Sequence, residues 1–218
     1  MKALVAYASK TGSTREIAEF IGEKLRQRGV QADVQEAGSV RTAQGYDAYV
    51  IGSAVYMFHW MKEAKEFISK NQALLANHPV WLFSSGPVGP KKTDAKGRDL
   101  TDESVSGPKE MDELIVAAKP RDHRVFFGAL HGGKVGGGMG LVYRFMLRSK
   151  AVRESMPDGD YRDWKAIEAW ANGIAEALSV RVPLQPNSGQ GASDREISAS
   201  PIPEFDSALT RPGQMKGR

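Results

Sequence analysis
The chain has 218 residues, is 41% hydrophobic, and carries 30 basic against 26 acidic residues for a formal charge of +4. That length suits one α/β domain with extensions, and the mild charge reads as solvated surface with no nucleic-acid partner. Cysteine is absent, which excludes disulfides, thiolate metal sites, cysteine nucleophiles and Cys-bound iron–sulfur clusters and makes the cytoplasm the expected compartment.

No apolar run reaches the roughly 18 residues of a membrane-spanning helix. The start, Met1-Lys2-Ala3-Leu4-Val5, leads directly into a strand, so no signal peptide is expected. The first strand runs Ala3 to Tyr7. Ile17, Ala18, Phe20, Ile21 and Leu25 then follow at helical spacing. Between them lies Ser9-Lys10-Thr11-Gly12-Ser13-Thr14, in which four of six residues carry a hydroxyl. A helix start presents N–H groups without intrahelical partners and the positive end of the helix dipole. Hydroxyls beside those amides, with a glycine that lets the backbone curl, suit a phosphate. The plainer reading is an ordinary helix cap, but a cap needs only one hydroxyl.

Val30 to Val34 alternates apolar and polar as a second strand, and residues 37–45 read as loop or a weak helical turn. Tyr46 to Gly52 reads as a third strand, buried on both faces near its end. Beyond it, Ser53 to Trp60 packs Tyr56, Phe58, His59 and Trp60 into five residues. Such a loop either folds back onto the core or offers a flat apolar wall and backbone donors to a planar ligand. Ala54, Val55 and Tyr56 are the expected backbone contacts. Trp60 either neighbours the ligand or opens the next helix.

That helix spans residues 61–76, and Pro79 to Phe83 forms the fourth strand. The loop Ser84-Ser85-Gly86-Pro87-Val88-Gly89-Pro90 again allows close backbone approach. Residues 86–108 show no periodicity, which predicts either a lid or a disordered insert. A helix follows from Lys109 to Lys119, then a fifth strand from Val125 to Leu130. Strands alternating with helices predict a parallel sheet covered on both faces, with ligands at the carboxyl ends of its strands.

After this strand, Gly133-Lys134-Val135 lacks the hydroxyl residue a nucleoside-triphosphate loop needs, and residues 132–140 read best as a hinge. A basic, apolar helix is expected over residues 139–150. The wider segment 134–153 holds five basic residues and no acidic ones. It suits an anionic membrane surface, a carboxylate-bearing apolar substrate, or packing against the core with solvated arginines. His131 and Arg144 are candidate substrate contacts. A last helix runs from about Tyr161 to Leu178. Residues 183–218, with five prolines, read as a tail beyond a domain of residues 1–182. No metal-spaced His/Asp/Glu cluster is present.

Ser9 to Thr14 resembles the (S/T)-x-T-G-x-T phosphate loop of flavodoxins. That resemblance implies a flavodoxin-like three-layer α/β sandwich with a five-stranded parallel sheet in the order 2-1-3-4-5, and FMN as cofactor. It implies phosphate contacts from Ser9, Lys10, Thr11, Gly12, Ser13 and Thr14. It further implies ring contacts from Ala54, Val55, Tyr56 and Trp60, and contacts to the pyrimidine edge from Ser85, Gly86, Pro87, Val88 and Gly89. The stacking aromatic that flavodoxins often place in this last loop is missing, which leaves one ring face open to a substrate. Gly128-Ala129-Leu130, Tyr143-Arg144-Phe145-Met146 and Tyr161-Arg162-Asp163-Trp164 are similar to the bacterial flavodoxin-type protoporphyrinogen oxidases, which are menaquinone-dependent dehydrogenases. The likeness runs from residue 1 to about 180, although the insert at 86–108 and the glycine run depart from that family. The implied activity is an FMN-dependent oxidoreductase taking electrons from an organic donor to a quinone. The alternative is a flavodoxin-type electron carrier, against which the positive charge argues, since such carriers are typically acidic.

Overall fold
The computed structural model describes residues 1–130 and 158–179. His131, Arg144, the helix expected at 139–150, the segment 134–153 and the tail lie outside the described residues.

In chain order the elements are β1 (Lys2–Ala8), α1 (Ser13–Gln27), β2 (Gln31–Glu36), a 3-10 turn (Ala37–Ser39), β3 (Ala48–Tyr56), β4 (His59–Trp60), α2 (Lys62–Lys70), α3 (Gln72–Leu75), β5 (Val80–Ser85), α4 (Glu103–Ser106), α5 (Met111–Ala118), β6 (Asp122–Phe126), β7 (Ala129–Leu130), β8 (Gly159–Asp160) and α6 (Trp164–Ser179). Five strands pair in parallel in the order β2-β1-β3-β5-β6, with β4 added antiparallel to the end of β3. Counting the parallel strands alone, this is the predicted order 2-1-3-4-5.

Side-chain alternation along the strands builds two cores. Ala3, Val5, Val50 and Phe83 face α1 and α6, where Ile17, Ile21, Leu25, Ile167, Ile174 and Leu178 close the layer. Leu4, Ala6, Tyr49, Ile51 and Leu82 face the other way, onto Phe67, Ile68, Leu75, Met111 and Leu114 of α2, α3 and α5. Burying each large apolar side chain contributes roughly 1.5–3 kcal/mol. Two such layers on one sheet give a rigid floor for the loops at its carboxyl edge. Gly52 pairs in register with Phe83, and a Cβ at Gly52 would overlap the Phe83 ring. Only glycine lets that ring lie flat on β3.

Three boundaries differ from the sequence reading. The helix expected at 61–76 breaks at Asn71, whose side-chain amide donates to the Phe67 carbonyl at 2.8 Å and competes with the helical ladder. The strand expected to reach Leu130 leaves the sheet after Phe126. Gly128 N–H turns to the Pro87 carbonyl at 2.8 Å, and Ala129 and Leu130 pair antiparallel with Asp160 and Gly159. The last helix starts at Trp164, where the Asp163 carboxylate accepts from Ala166 N–H at 3.0 Å.

The insert at 86–108 is ordered by short polar turns. Asp94 accepts from the amides of Lys96 and Arg98, Asp99 from that of Thr101, and Asp102 caps α4 through Ser104. These are Asx turns, which hydrophobic periodicity does not register.

Candidate functional site
β1, β3, β5 and β6 end at one edge, and the loops that follow them meet there. Ala8 pairs with Ser53, Ala54 with Ser85, and Ser85 with Phe126, so the register lines these loops up. Gly12 sits at φ 97°, a left-handed conformation that favours glycine. Its N–H donates to Ser9 Oγ at 3.1 Å and its carbonyl accepts from Glu16 N–H at 3.0 Å. Gly12 stands at the N-cap of α1 and has no side chain to cap it. Among the described residues no hydroxyl of this loop accepts from the first amides of α1, an arrangement that suits a ligand at the helix start.

Ser13 Oγ accepts from Ala129 N–H at 2.8 Å, which leaves the hydroxyl proton free to donate. Thr14 is buried beneath the loop. Thr11 and Lys10 both turn to Tyr56. Burial raises the Tyr56 phenol, a hydrogen bond with Thr11 pulls it back, and Lys10 Nζ lies 5.2 Å from the ring centroid. The loop at 9–14 and the end of β3 thus close on each other.

Gly128 marks where three loops converge. A Cβ there would stand 3.3 Å from Val88 Cγ1 and 3.4 Å from both Ser13 Oγ and Ser85 Oγ. A Cβ at Gly86 would lie 3.1 Å from Val55 Cβ, and Gly86 N–H donates to the Phe126 carbonyl at 3.2 Å. Ser9, Lys10, Thr11, Gly12 and Ser13 therefore gather with Ala54, Val55, Tyr56, Ser85, Gly86, Pro87 and Val88 around one cradle. Gly89, next along this loop, holds φ 121°.

Of the two places expected for Trp60, the structure puts it at the entry to α2. Its ring is 2% exposed and packs in the core, and its Nε1–H donates to Ser84 Oγ at 2.7 Å. Hairpin pairing of Val55 with Trp60 carries the indole under the sheet edge, where it offers no open face to a planar ligand. The exposed apolar residues of this hairpin are Met57 at 85% and Phe58 at 56%, with His59 exposed beside them. Both apolar residues hold positive φ, 51° and 62°.

Two polar groups behind the cradle were not found in the sequence. Ser84 Oγ also lies 2.9 Å from His123 Nε2, and His123 Nδ1 stands 2.9 Å from Glu103 Oε1 without the alignment of a hydrogen bond. Burial pushes the His123 imidazole down, against the pull of Glu103. Ser84 is fully buried, so this row is no nucleophilic triad. The second group is Glu110, which accepts from Trp60 N–H at 2.9 Å and pairs with His59 and Lys65 at 2.9 and 3.0 Å. Burial would raise its carboxyl, but these partners outweigh burial and hold it low.

A separate groove of about 840 Å³ runs beside β6 and α6, lined among others by Trp81, Lys92, Asp122, Phe126 and Trp170. It contains none of the expected site residues. Among the described residues no cluster of His, Asp or Glu could hold a metal, and no helix is long and apolar enough to cross a membrane.

The parallel sheet and its glycine- and hydroxyl-rich edge define a doubly wound α/β domain with its ligand cradle at the strand ends. The flavodoxin domain family model matches residues 4–149. The chain belongs to the flavodoxin domain family, a family of flavin-binding domains. It is 32% identical over 93 residues to the protoporphyrinogen IX dehydrogenase [quinone] of Escherichia coli strain K12, covering 42% of this chain and 51% of that protein. The chain thus spans about half the length of that curated relative. It is 25% identical over 148 residues to the flavodoxin-like domain-containing protein BilS of Clostridioides difficile strain CD3, covering 68% of this chain and 75% of BilS. In fold it is similar to rubredoxin oxygen:oxidoreductase from Desulfovibrio gigas, with a TM-score of 0.50 and 14% identity over 82% of this chain and 36% of that one.

Proposed function
We propose that residues 1–182 bind FMN in the cradle and act as an FMN-dependent oxidoreductase, with electrons passing from an organic donor to a quinone-like acceptor. The observation that carries this reading is the uncapped start of α1 behind the left-handed Gly12, with the ends of β3 and β5 closing on the same point. Ser9 to Thr14 would hold the phosphate through amides and hydroxyls. Ala54 to Tyr56 and Ser85 to Gly89 would flank the ring with backbone groups. FMN supplies the redox chemistry when bound, and the protein supplies position and exclusion of water. Tyr56 would offer an aromatic edge beside the ring. Protoporphyrinogen is the donor suggested by the name of the E. coli relative, and a quinone the acceptor.

Purified protein titrated with FMN should quench flavin fluorescence and turn yellow. The bound flavin should then bleach with an organic donor, tested among protoporphyrinogen, menaquinol and nicotinamide cofactors, and recover its absorbance with a quinone. A colourless protein that FMN does not bind would overturn the reading. A second reading, an electron carrier, is favoured by the exposed Met57 and Phe58, an apolar contact for a protein partner beside the cradle. Steady turnover with donor and quinone alone selects the enzyme, and electron exchange only through a second redox protein selects the carrier.

A further inference from the structure
Arg162 follows β8, yet its guanidinium reaches back to the start of α1. Its side chain is 4% exposed. Nη1 donates to Glu16 Oε2 at 2.7 Å and to the Ser13 carbonyl at 3.3 Å. Nε and Nη2 grip Asp160 at 2.8 and 2.7 Å, a bidentate pair. The guanidinium also lies 4.4 Å from the centre of the Trp164 ring. Burial opposes its charge, and the two carboxylates more than offset that.

Glu16 is the reason such a grip is needed. An acidic residue in the first turn stabilises a helix through its dipole. The same position repels an anion arriving at the same amides. Glu16 is close to that point, since a Cβ at Gly12 would lie 3.9 Å from its Oε1. Unpaired, its carboxylate would stand at the mouth of the cradle against a dianionic phosphate. Arg162 holds the other oxygen, neutralises the charge, and fixes the carbonyl of Ser13, the residue whose hydroxyl faces Gly128.

We propose that Arg162 is a positioning residue for phosphate recognition: tying Glu16 and Ser13 to the end of β8 makes the α1 start a dianion acceptor and sets the preference for phosphorylated over unphosphorylated flavin. The inference rests on the FMN reading and deepens it. Its expected size follows from charge. Releasing one carboxylate beside a dianion at partly solvated distances weakens binding by about tenfold or more.

The test measures FMN and riboflavin dissociation constants by fluorescence for wild type, Arg162→Met, Arg162→Lys, Glu16→Gln and the Arg162→Met/Glu16→Gln double variant. Arg162→Met should weaken FMN about tenfold or more while riboflavin changes by less than about threefold. Glu16→Gln should bind FMN at least as tightly as wild type, and in the double variant it should restore most of the loss. Arg162→Lys should fall between, keeping charge but losing the bidentate fork. Equal losses for FMN and riboflavin in Arg162→Met, or weaker FMN binding by Glu16→Gln, would overturn the inference. The Glu16→Gln arm decides even if Arg162→Met fails to fold. A wild type that binds no FMN removes the flavin reading and this inference together. FMN affinity shared by wild type and every variant removes this inference alone.

Discussion

Substituting Gly12 separates backbone strain from charge at the cradle. Gly12 holds φ 97°, and the atoms nearest a Cβ there would be Arg15 Nη2 at 3.7 Å and Glu16 Oε1 at 3.9 Å, both ordinary contacts. Gly12→Ala therefore meets no clash, and its cost is the left-handed backbone alone, about 1–2 kcal/mol. That cost falls on stability when the free loop keeps this conformation, and raises the dissociation constant by up to about five- to thirtyfold when the free alanine loop relaxes out of it. Gly12→Asp adds to this a carboxylate within a few ångströms of the phosphate. A single charge facing a dianion at about 6 Å costs about 1–5 kcal/mol between aqueous and protein-surface screening. The aspartate should thus weaken FMN at least about tenfold beyond the alanine. Fluorescence titration with FMN gives the affinities, and thermal unfolding without FMN shows how much of each loss is stability. Alanine and aspartate variants with equal FMN affinity would refute phosphate binding at this loop.

Stability should depend on pH through His123. Burial holds its imidazole below the ordinary value of 6.5. As pH falls below about 6.5 the unfolded chain takes up a proton that the folded chain refuses, so stability drops by up to about 1.4 kcal/mol per pH unit until the folded value is reached, and this contribution is flat above pH 6.5. Urea titrations between pH 5 and 7.5 should show that slope in wild type and lose it in His123→Gln; equal slopes would contradict the assignment. Gly52→Ala forces a methyl into the Phe83 ring and should cost about 1–3 kcal/mol, with part regained by Phe83→Leu in the same chain. Phe58→Gly should raise stability by about 0.5–1 kcal/mol, because relief at φ 62° exceeds the added chain entropy and the half-exposed ring buries little. A lower melting temperature for Phe58→Gly would show that the ring is held by contacts rather than tolerated.

The sheet was legible because its strands are apolar and its helices periodic. Ile17, Ile21 and Leu25 announce the buried face of α1 as clearly as Ile167, Ile174 and Leu178 announce that of α6. The cradle was legible at Ser9–Thr14 and at Ser85–Gly86, where composition is extreme. The two readings of Trp60 stayed open because an aromatic beyond a strand gives no sign of whether the chain doubles back, and pairing of Val55 with Trp60 depends on a two-residue turn at Met57 and Phe58, residues that carry no turn signal. The turns of the insert were not legible because they rest on Asp94, Asp99 and Asp102, each bonding to amides a few residues on. Arg162 stood within a quoted motif, but its partners Glu16 and Ser13 lie 146 and 149 residues away, a pairing that only the fold creates.

The rim of the cradle is held differently from the floor beneath it. The floor is two apolar layers, whose packing is non-directional and tolerant of small shifts. Glycines and hydroxyl residues at the rim have too little apolar area to fix a conformation that way, so each loop is fastened to the next by a directed polar contact. Ser13 takes the Ala129 amide, Glu110 takes the Trp60 amide, and Arg162 binds Glu16. Such contacts weaken steeply with misalignment, so they define positions to fractions of an ångström once all are made. They also span elements far apart in sequence: β7 and β8 are bolted to the start of α1 through Ser13 and Arg162 at the Ala129–Asp160 end of their ladder.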